Sequence, residues 1–273
     1  MESGFFYLLR QSPSSVSSGV TPRGRSSPFG QSGALWSTDF ASGRTQQFLS
    51  GFTLRSFDLS REEKEVIFTT EDSQIWLAPL DRRSPPRMLT RGGPFALFGR
   101  AGEIIFVAQE EKQNFLYRMK ADGTGRERIT DTPLLGGPWS TSPDGEWVVA
   151  LVPVAGQESN WETVAFSTHG AQARRICPFF CRSRWSADGR YLYLDVDVSG
   201  SSPAGRTFAV PLQPGRFLPE FPDSAIKSPA DLVKLAGVRV IGRSDLFPGP
   251  DPAVYVFSTK GFHANLFRVV LDR

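Results

Sequence analysis

"TSPDGE", residues 141–146, and "WSADGR", residues 185–190, are near copies set 44 residues apart. In each, serine and aspartate accept backbone N–H bonds while glycine takes the left-handed conformation, so the chain reverses between two strands. Asp144 and Asp188 therefore read as corner residues and not as catalytic carboxylates. A turn that recurs at a fixed step marks a repeated unit. Four segments share its setting: "FDLSREEKEVIFTT" from Phe57, "FALFGRAGEIIFVA" from Phe95, "WSTSPDGEWVVALV" from Trp139 and "SRWSADGRYLYLDV" from Ser183. Each is a short alternating strand, a polar turn and a stronger run of β-branched or aromatic residues. Their starts step by 38, 44 and 44 residues.

A third run and usually a fourth follow each pair, as in "SQIWLAPLD" then "PRMLTR", and "NFLYRMKAD" then "ERIT". "ADGTGR", residues 121–126, is the hairpin between two such runs. Four strands per unit of about 40–45 residues is the spacing of a propeller blade. The expected fold is an all-β, six-bladed β-propeller of four-stranded antiparallel blades in one domain. The blades fall at about 1–52, 53–92, 93–136, 137–180, 181–227 and 228–273.

The flanks fit the ring less fully. "FFYLLRQ", "GALWSTDFAS" and "RTQQFLSGF" precede Phe57, while "VRVIGRSDLF", "AVYVFSTKG" and "ANLFRVVLD" end the chain. The first blade then lacks its inner strand and the last its outer strand. This reading leaves the ring incomplete at the N-terminus and makes the chain the C-terminal part of a longer protein. Residues 11–33 are too polar and glycine-rich to support a core and read as a mobile connection. Residues 211–237 form a proline-rich insertion with one short helix, capped by Ser228, opened by Pro229 and followed by Gly237. Whether it closes the pore or shields an edge is open.

With 31 basic and 28 acidic side chains, the net charge of +3 argues against a nucleic-acid surface. Arg82, Arg83, Arg87 and Arg91 read as a solvated rim. No window reaches the roughly 18 apolar residues of a spanning helix, and "MESGFFYLLRQ" lacks the basic start and cleavage site of a signal peptide. Cys177 and Cys181 frame "CPFFC"; a local disulfide is compatible with that spacing, and geometry decides it. His169 and His263 fall in turns without ligand spacing.

The best acidic candidate is "YLYLDVDVSG", residues 191–200, where Tyr191, Tyr193, Asp195 and Asp197 share one strand face. Two carboxylates there suit a cation or an acid–base pair, but no further carboxylates complete such a site, and a hydrated strand edge is the favoured reading. Trp76, Trp139, Trp147 and Trp185 are expected to pack between blades. There is no G-x-S-x-G elbow. Hence no catalytic, cofactor-binding or metal-binding residue is assigned.

The runs "WSADGRYLYL", "TSPDGEWVVA", "SQIWLAPLD" and "NFLYRMKADGTGRERIT" resemble the repeats of TolB-like six-bladed propellers, over residues from about 53 to 273. The ending "GPDPAVYVFSTKGFHANLFRVVL" is similar to propellers at the C-terminus of some bacterial serine/threonine kinases and transcriptional regulators. The resemblance implies a non-catalytic sensory or protein-interaction module in the periplasm or otherwise outside the cytoplasm. Its partner would be another protein or an upstream domain, and the chain itself is expected to be monomeric. A propeller hydrolase or lyase acting on glycans or peptides is the alternative. No kinase motif is present, so kinase activity does not carry over.

Overall fold

A computed structural model describes residues 4–9, 18–21, 33–39, 42–196, 205–220, 225–244, 246–248 and 252–257. Strands β1 (Gly4–Leu9), β2 (Ser18–Thr21), β3 (Ala34–Asp39) and β4 (Thr45–Phe48) form a first antiparallel sheet in the order β2-β1-β3-β4. Four blades then follow in chain order. The first of these holds β5 (Leu54–Leu59), β6 (Glu65–Thr70), β7 (Gln74–Pro79) and β8 (Arg87–Arg91), and the second β9 (Ala96–Phe98), β10 (Ile104–Glu110), β11 (Gln113–Met119) and β12 (Glu127–Arg128). The third holds β13 (Gly136–Thr141), β14 (Trp147–Val154), β15 (Gln157–Ser167) and β16 (Ala173–Cys177). The fourth holds β17 (Arg182–Trp185), β18 (Tyr191–Val196), β19 (Arg206–Pro211) and β20 (Arg239–Ile241), and β21 (Leu246–Pro248) pairs with β22 (Tyr255–Phe257) as a last sheet.

The second strand of each blade is buried on both faces, which explains its nearly continuous apolar run, and its two faces feed different cores. Val66 and Phe68 enter the layer shared with the first sheet, while Ile67 enters the next. Ile104, Phe106 and Ala108 face back into that layer, while Ile105 and Val107 face forward to Val148 and Ala150. Val149 meets Leu192, Leu194 and Val196, and Tyr193 meets Leu246. Period-two alternation thus stacks the sheets in succession. Trp185 belongs to the same layer against which Trp139 and Trp147 pack, and Trp76 packs in the first layer, as the sequence reading expects.

Two parts of the strand assignment differ from the sequence reading. The vacant end of the first sheet is taken by β2, pairing Phe6 with Thr21 through Leu9 with Ser18. This short strand comes from the polar segment 11–33 and lies beside β22. The first sheet thus has four strands among the described residues. "VRVIGRSDLF" is not one strand: Arg239–Ile241 pairs with β19 and completes the blade begun at 181, while Leu246–Pro248 starts the next sheet. The exposed edge of β19 has to wait for its partner until after the insertion.

The insertion settles against the layer between the last two four-stranded blades. Ile226 and Leu232 are buried there, with Phe217, Leu218, Leu235 and Val238 packed on top. Its helix is a 3₁₀ helix, Pro229–Lys234, with Ser228 at the N-cap. The Asp231 carboxylate accepts from the backbone N–H groups of Lys227 and Ser228 and from the Ser228 hydroxyl. The described residues of the insertion shield a core, and none of them lines the axial cavity described next.

Candidate functional site: the axial cavity

An inner strand has a ladder partner on one side only, and its other edge carries backbone groups that require partners. Side chains from the neighbouring blade supply several. The Asp58 carboxylate accepts from Phe98 N–H at 2.9 Å, and Thr141 Oγ1 donates to the Phe98 carbonyl at 2.8 Å. Ser140 Oγ donates to the Ser183 carbonyl at 2.9 Å. Arg184 donates to the Leu246 carbonyl at 2.7 Å and lies 4.2 Å over the Phe247 ring. Ser56 and Thr69 hydroxyls reach the Pro94 carbonyl at 3.0 and 2.9 Å. Five successive inner strands, from β5 to β21, are joined in this way.

The ends of these strands and the corners after them surround a cavity of about 510 Å³. Leu59, Phe98, Trp185 and Phe247 contribute apolar wall, and the exposed Arg61 and Glu62 stand at the rim. The wall carboxylates are engaged in structure. Asp58 is 4% exposed and holds the neighbouring strand. Asp144 accepts from the Ser142 hydroxyl and from Glu146 N–H, and Ser142 Oγ accepts from Trp147 N–H at 2.9 Å.

The later corner repeats this geometry. Asp188 accepts from the Ser186 hydroxyl at 2.7 Å and from Arg190 N–H at 3.0 Å, and Ser186 Oγ accepts from Tyr191 N–H at 3.0 Å. Burial opposes the charge on Asp188, but these bonds and the Arg190 guanidinium outweigh it and hold the carboxyl below the usual range. Gly145 and Gly189 sit at φ +77° and +71°. In the "LSREEKE" corner Ser60 plays the same part, and Glu63 takes the left-handed position at φ +53°. In the hairpin "ADGTGR", Thr124 hydroxyl and N–H bonds hold Asp122 below its usual range.

One expectation needs correction. Asp195 is no hydrated edge: it is 8% exposed and sits opposite Arg182, itself 5% exposed, while Tyr193 is 2% exposed. Alternation assigns its face correctly, but the last sheet covers that face. His169 is an exposed turn residue, as expected, and its Nε2 lies 2.8 Å from Glu103 Oε2 on the preceding blade. Asp197 and His263 lie outside the described residues. Cys177 and Cys181 form a disulfide, both sulfurs belonging to fully buried residues. Among the described residues no group of three or more His, Cys, Asp or Glu is arranged to hold a metal ion, and no helix is long and apolar enough to cross a membrane. The sequence reading misses the axial hydroxyls; their signal is the small polar residues in "WSTS" and "RSFD", inside otherwise apolar runs.

No protein-family model matches the sequence, and no curated protein matches it. Solved structures do. TolB from Acinetobacter baumannii is similar at a TM-score of 0.57 and 16% identity, over 75% of this chain and 50% of that one. A putative TolB from Agrobacterium tumefaciens is similar at 0.52 and 16%, over 78% of this chain and 86% of that one. The chain thus spans half the length of the first of these. An oligogalacturonate lyase in complex with manganese aligns at 13% identity over 67% of this chain and 55% of that one, but its TM-score of 0.45 carries no weight. At such identities the likeness shows the fold alone: a TolB-like, all-β propeller of four-stranded antiparallel blades.

Proposed function

We propose that the chain is a non-catalytic propeller module for protein docking or sensing, a single six-bladed domain over residues 1–273, with the axial cavity and its rim as the recognition surface. One observation carries this reading. The carboxylates Asp58 and Asp144 and the hydroxyl of Thr141 at the cavity are committed to blade-to-blade or corner bonds. What faces an incoming molecule is apolar wall with a charged rim, the anatomy of a docking surface. The partner is another protein or another domain of the same polypeptide, and the module acts as a monomer. The buried Cys177–Cys181 disulfide suits an oxidising compartment outside the cytoplasm, and the resemblance to propellers that end bacterial kinases and regulators favours a sensory role.

Photo-crosslinking tests the reading in cells. A photoreactive residue replacing Arg61, at the rim, captures a discrete protein partner, whereas one replacing Gly156, in the β14–β15 turn, does not. Equal capture at both positions overturns it. So does turnover of glycans or peptides by the purified chain that is abolished in Asp58→Asn.

A further inference from the structure

The outermost strand of a blade keeps one edge without a ladder partner, and the backbone N–H and C=O groups along it require water or another strand. Among the described residues, β16 ends its sheet and pairs with β15 alone. Arg174 stands opposite Ala165, whose side packs toward the last four-stranded blade, and Arg175 stands opposite Val164, whose side packs toward the preceding one. The two arginines therefore leave the strand on opposite faces. Both line a groove of about 650 Å³, so the groove reaches round the free edge of β16.

The far wall is the first part of the insertion, residues 215–220. It is held rigidly: Trp185 Nε1 donates to the Phe217 carbonyl at 2.6 Å, and the Phe217 ring lies so near Gly189 that a Cβ there would stand 2.5 Å from it. Trp147 and Leu218 add apolar surface. The charges favour an acidic occupant. Arg174, Arg175 and Arg216 line the groove against Asp144 and Glu220, but Asp144 is taken up by its corner and Glu220 by Arg216. Glu162 lies 3.8 Å from Arg175. Arg174 is exposed, and among the described residues it makes no ion pair.

We propose that this groove is a second docking site, separate from the axial cavity, where an extended acidic segment of a partner protein adds as a fifth strand beside β16. Backbone bonds to the free edge hold such a segment, and carboxylates beside Arg174 and Arg216 select it. A second copy of this chain is a poor occupant, because pairing β16 with itself sets one arginine doublet against the other, and like charges across a strand pair are destabilising.

The test is a displayed library of random peptides long enough to cover the five residues of β16, selected against the full chain at low salt. Asp and Glu are expected at alternate positions, since alternate side chains share a face, and a selected peptide made synthetically should bind less tightly as salt rises. Arg174→Glu weakens it about tenfold or more, the scale of one charge-assisted hydrogen bond. Arg216→Ala weakens it as well and serves if the first variant does not fold, while Arg61→Glu at the cavity rim leaves binding unchanged. N-methylation of the peptide backbone along one edge weakens binding about two- to tenfold per bond lost, methylation along the other edge does not, and the peptide slows hydrogen exchange at 173–176. Selection without acidic enrichment, binding that survives both groove variants, or equal binding after methylation of either edge overturns the proposal. So does loss of binding in Arg61→Glu alone, which moves the contact to the axial cavity.

Discussion

Gly145→Ala measures how closely neighbouring blades approach at the repeated corner. Gly145 lies at φ +77°, and an added Cβ would stand 2.3 Å from Arg100 N and 2.5 Å from Arg100 Cα. These are backbone atoms of the preceding blade, which cannot turn aside as a side-chain end can. Alanine pays about 1 kcal/mol for the left-handed conformation, and forcing atoms into a packed site adds about 1–3 kcal/mol. The expected loss is therefore about 2–4 kcal/mol. Gly156→Ala is the matched control, with φ +73° and nothing within 4 Å, so only the conformational cost of about 1 kcal/mol applies. Gly189→Ala falls between the two, because its 2.5 Å contact is a ring atom of Phe217. Denaturant unfolding of the three variants, with m-values compared, reads the differences. If Gly145→Ala and Gly156→Ala agree to within about 0.5 kcal/mol, the corner does not abut the adjacent blade and the packing argument fails.

Further outcomes follow from three buried or locally bonded groups. Thr163→Val removes a fully buried hydroxyl that accepts from Cys181 N–H at 3.1 Å and donates toward the Phe179 and Cys181 carbonyls; unfolding is expected to show a loss of about 1–3 kcal/mol, recovered in Thr163→Ser. Replacing Cys177 and Cys181 together by serine opens a loop of sequence separation 4, and the lost constraint on the unfolded chain amounts to about 2 kcal/mol, measured by denaturation of both forms. Because both cysteines are buried, reductant and thiol-trapping reagent should label them only under unfolding conditions. Asp231 is held well below the usual carboxylate range by the Lys234 ammonium, the Lys227 N–H and the Ser228 hydroxyl. A depressed carboxylate stabilises above its ordinary value of 3.8 and loses that effect only as pH falls through the lowered one. The 3₁₀ helix should thus resist acid-stable protease down to about pH 3, whereas Asp231→Asn is cleaved there at every pH.

What the sequence discloses and what it conceals divide along contact range. The side chains of Ser142 and Asp144 bond to atoms within five residues of one another, so the corner, and from its recurrence the blade, is written locally. The alternation in Leu192, Tyr193 and Leu194 likewise names two faces, but it does not say what covers either. For that reason Asp195 reads as hydrated until the last sheet is seen against it. Strand β2 escapes notice because an edge strand of four residues needs little apolar content, and β20 is read as one strand with β21 because the insertion separates it from its partner β19. Glu103 and His169 belong to different blades, and nothing near either residue announces the other.

The same division bears on function. A stack of sheets built from neighbouring stretches of chain has no hydrogen-bond ladder between blades, so some other device must set the inner strands against one another. Here that device is short polar side chains aimed at backbone: Asp58 at Phe98, Thr141 at Phe98, Ser140 at Ser183. Their commitment has two effects on the cavity they enclose. It ties the wall's carboxylates Asp58 and Asp144 into structure, and it fixes that wall, which under the proposed docking role lowers the ordering cost of association. Under the proposed docking role, recognition rests with the exposed Arg61 and Glu62 at the rim. Exchanging their charges should alter partner binding while leaving unfolding within about 0.5 kcal/mol of the parent, whereas removing the Asp58 carboxylate should lower stability whether or not a partner is present.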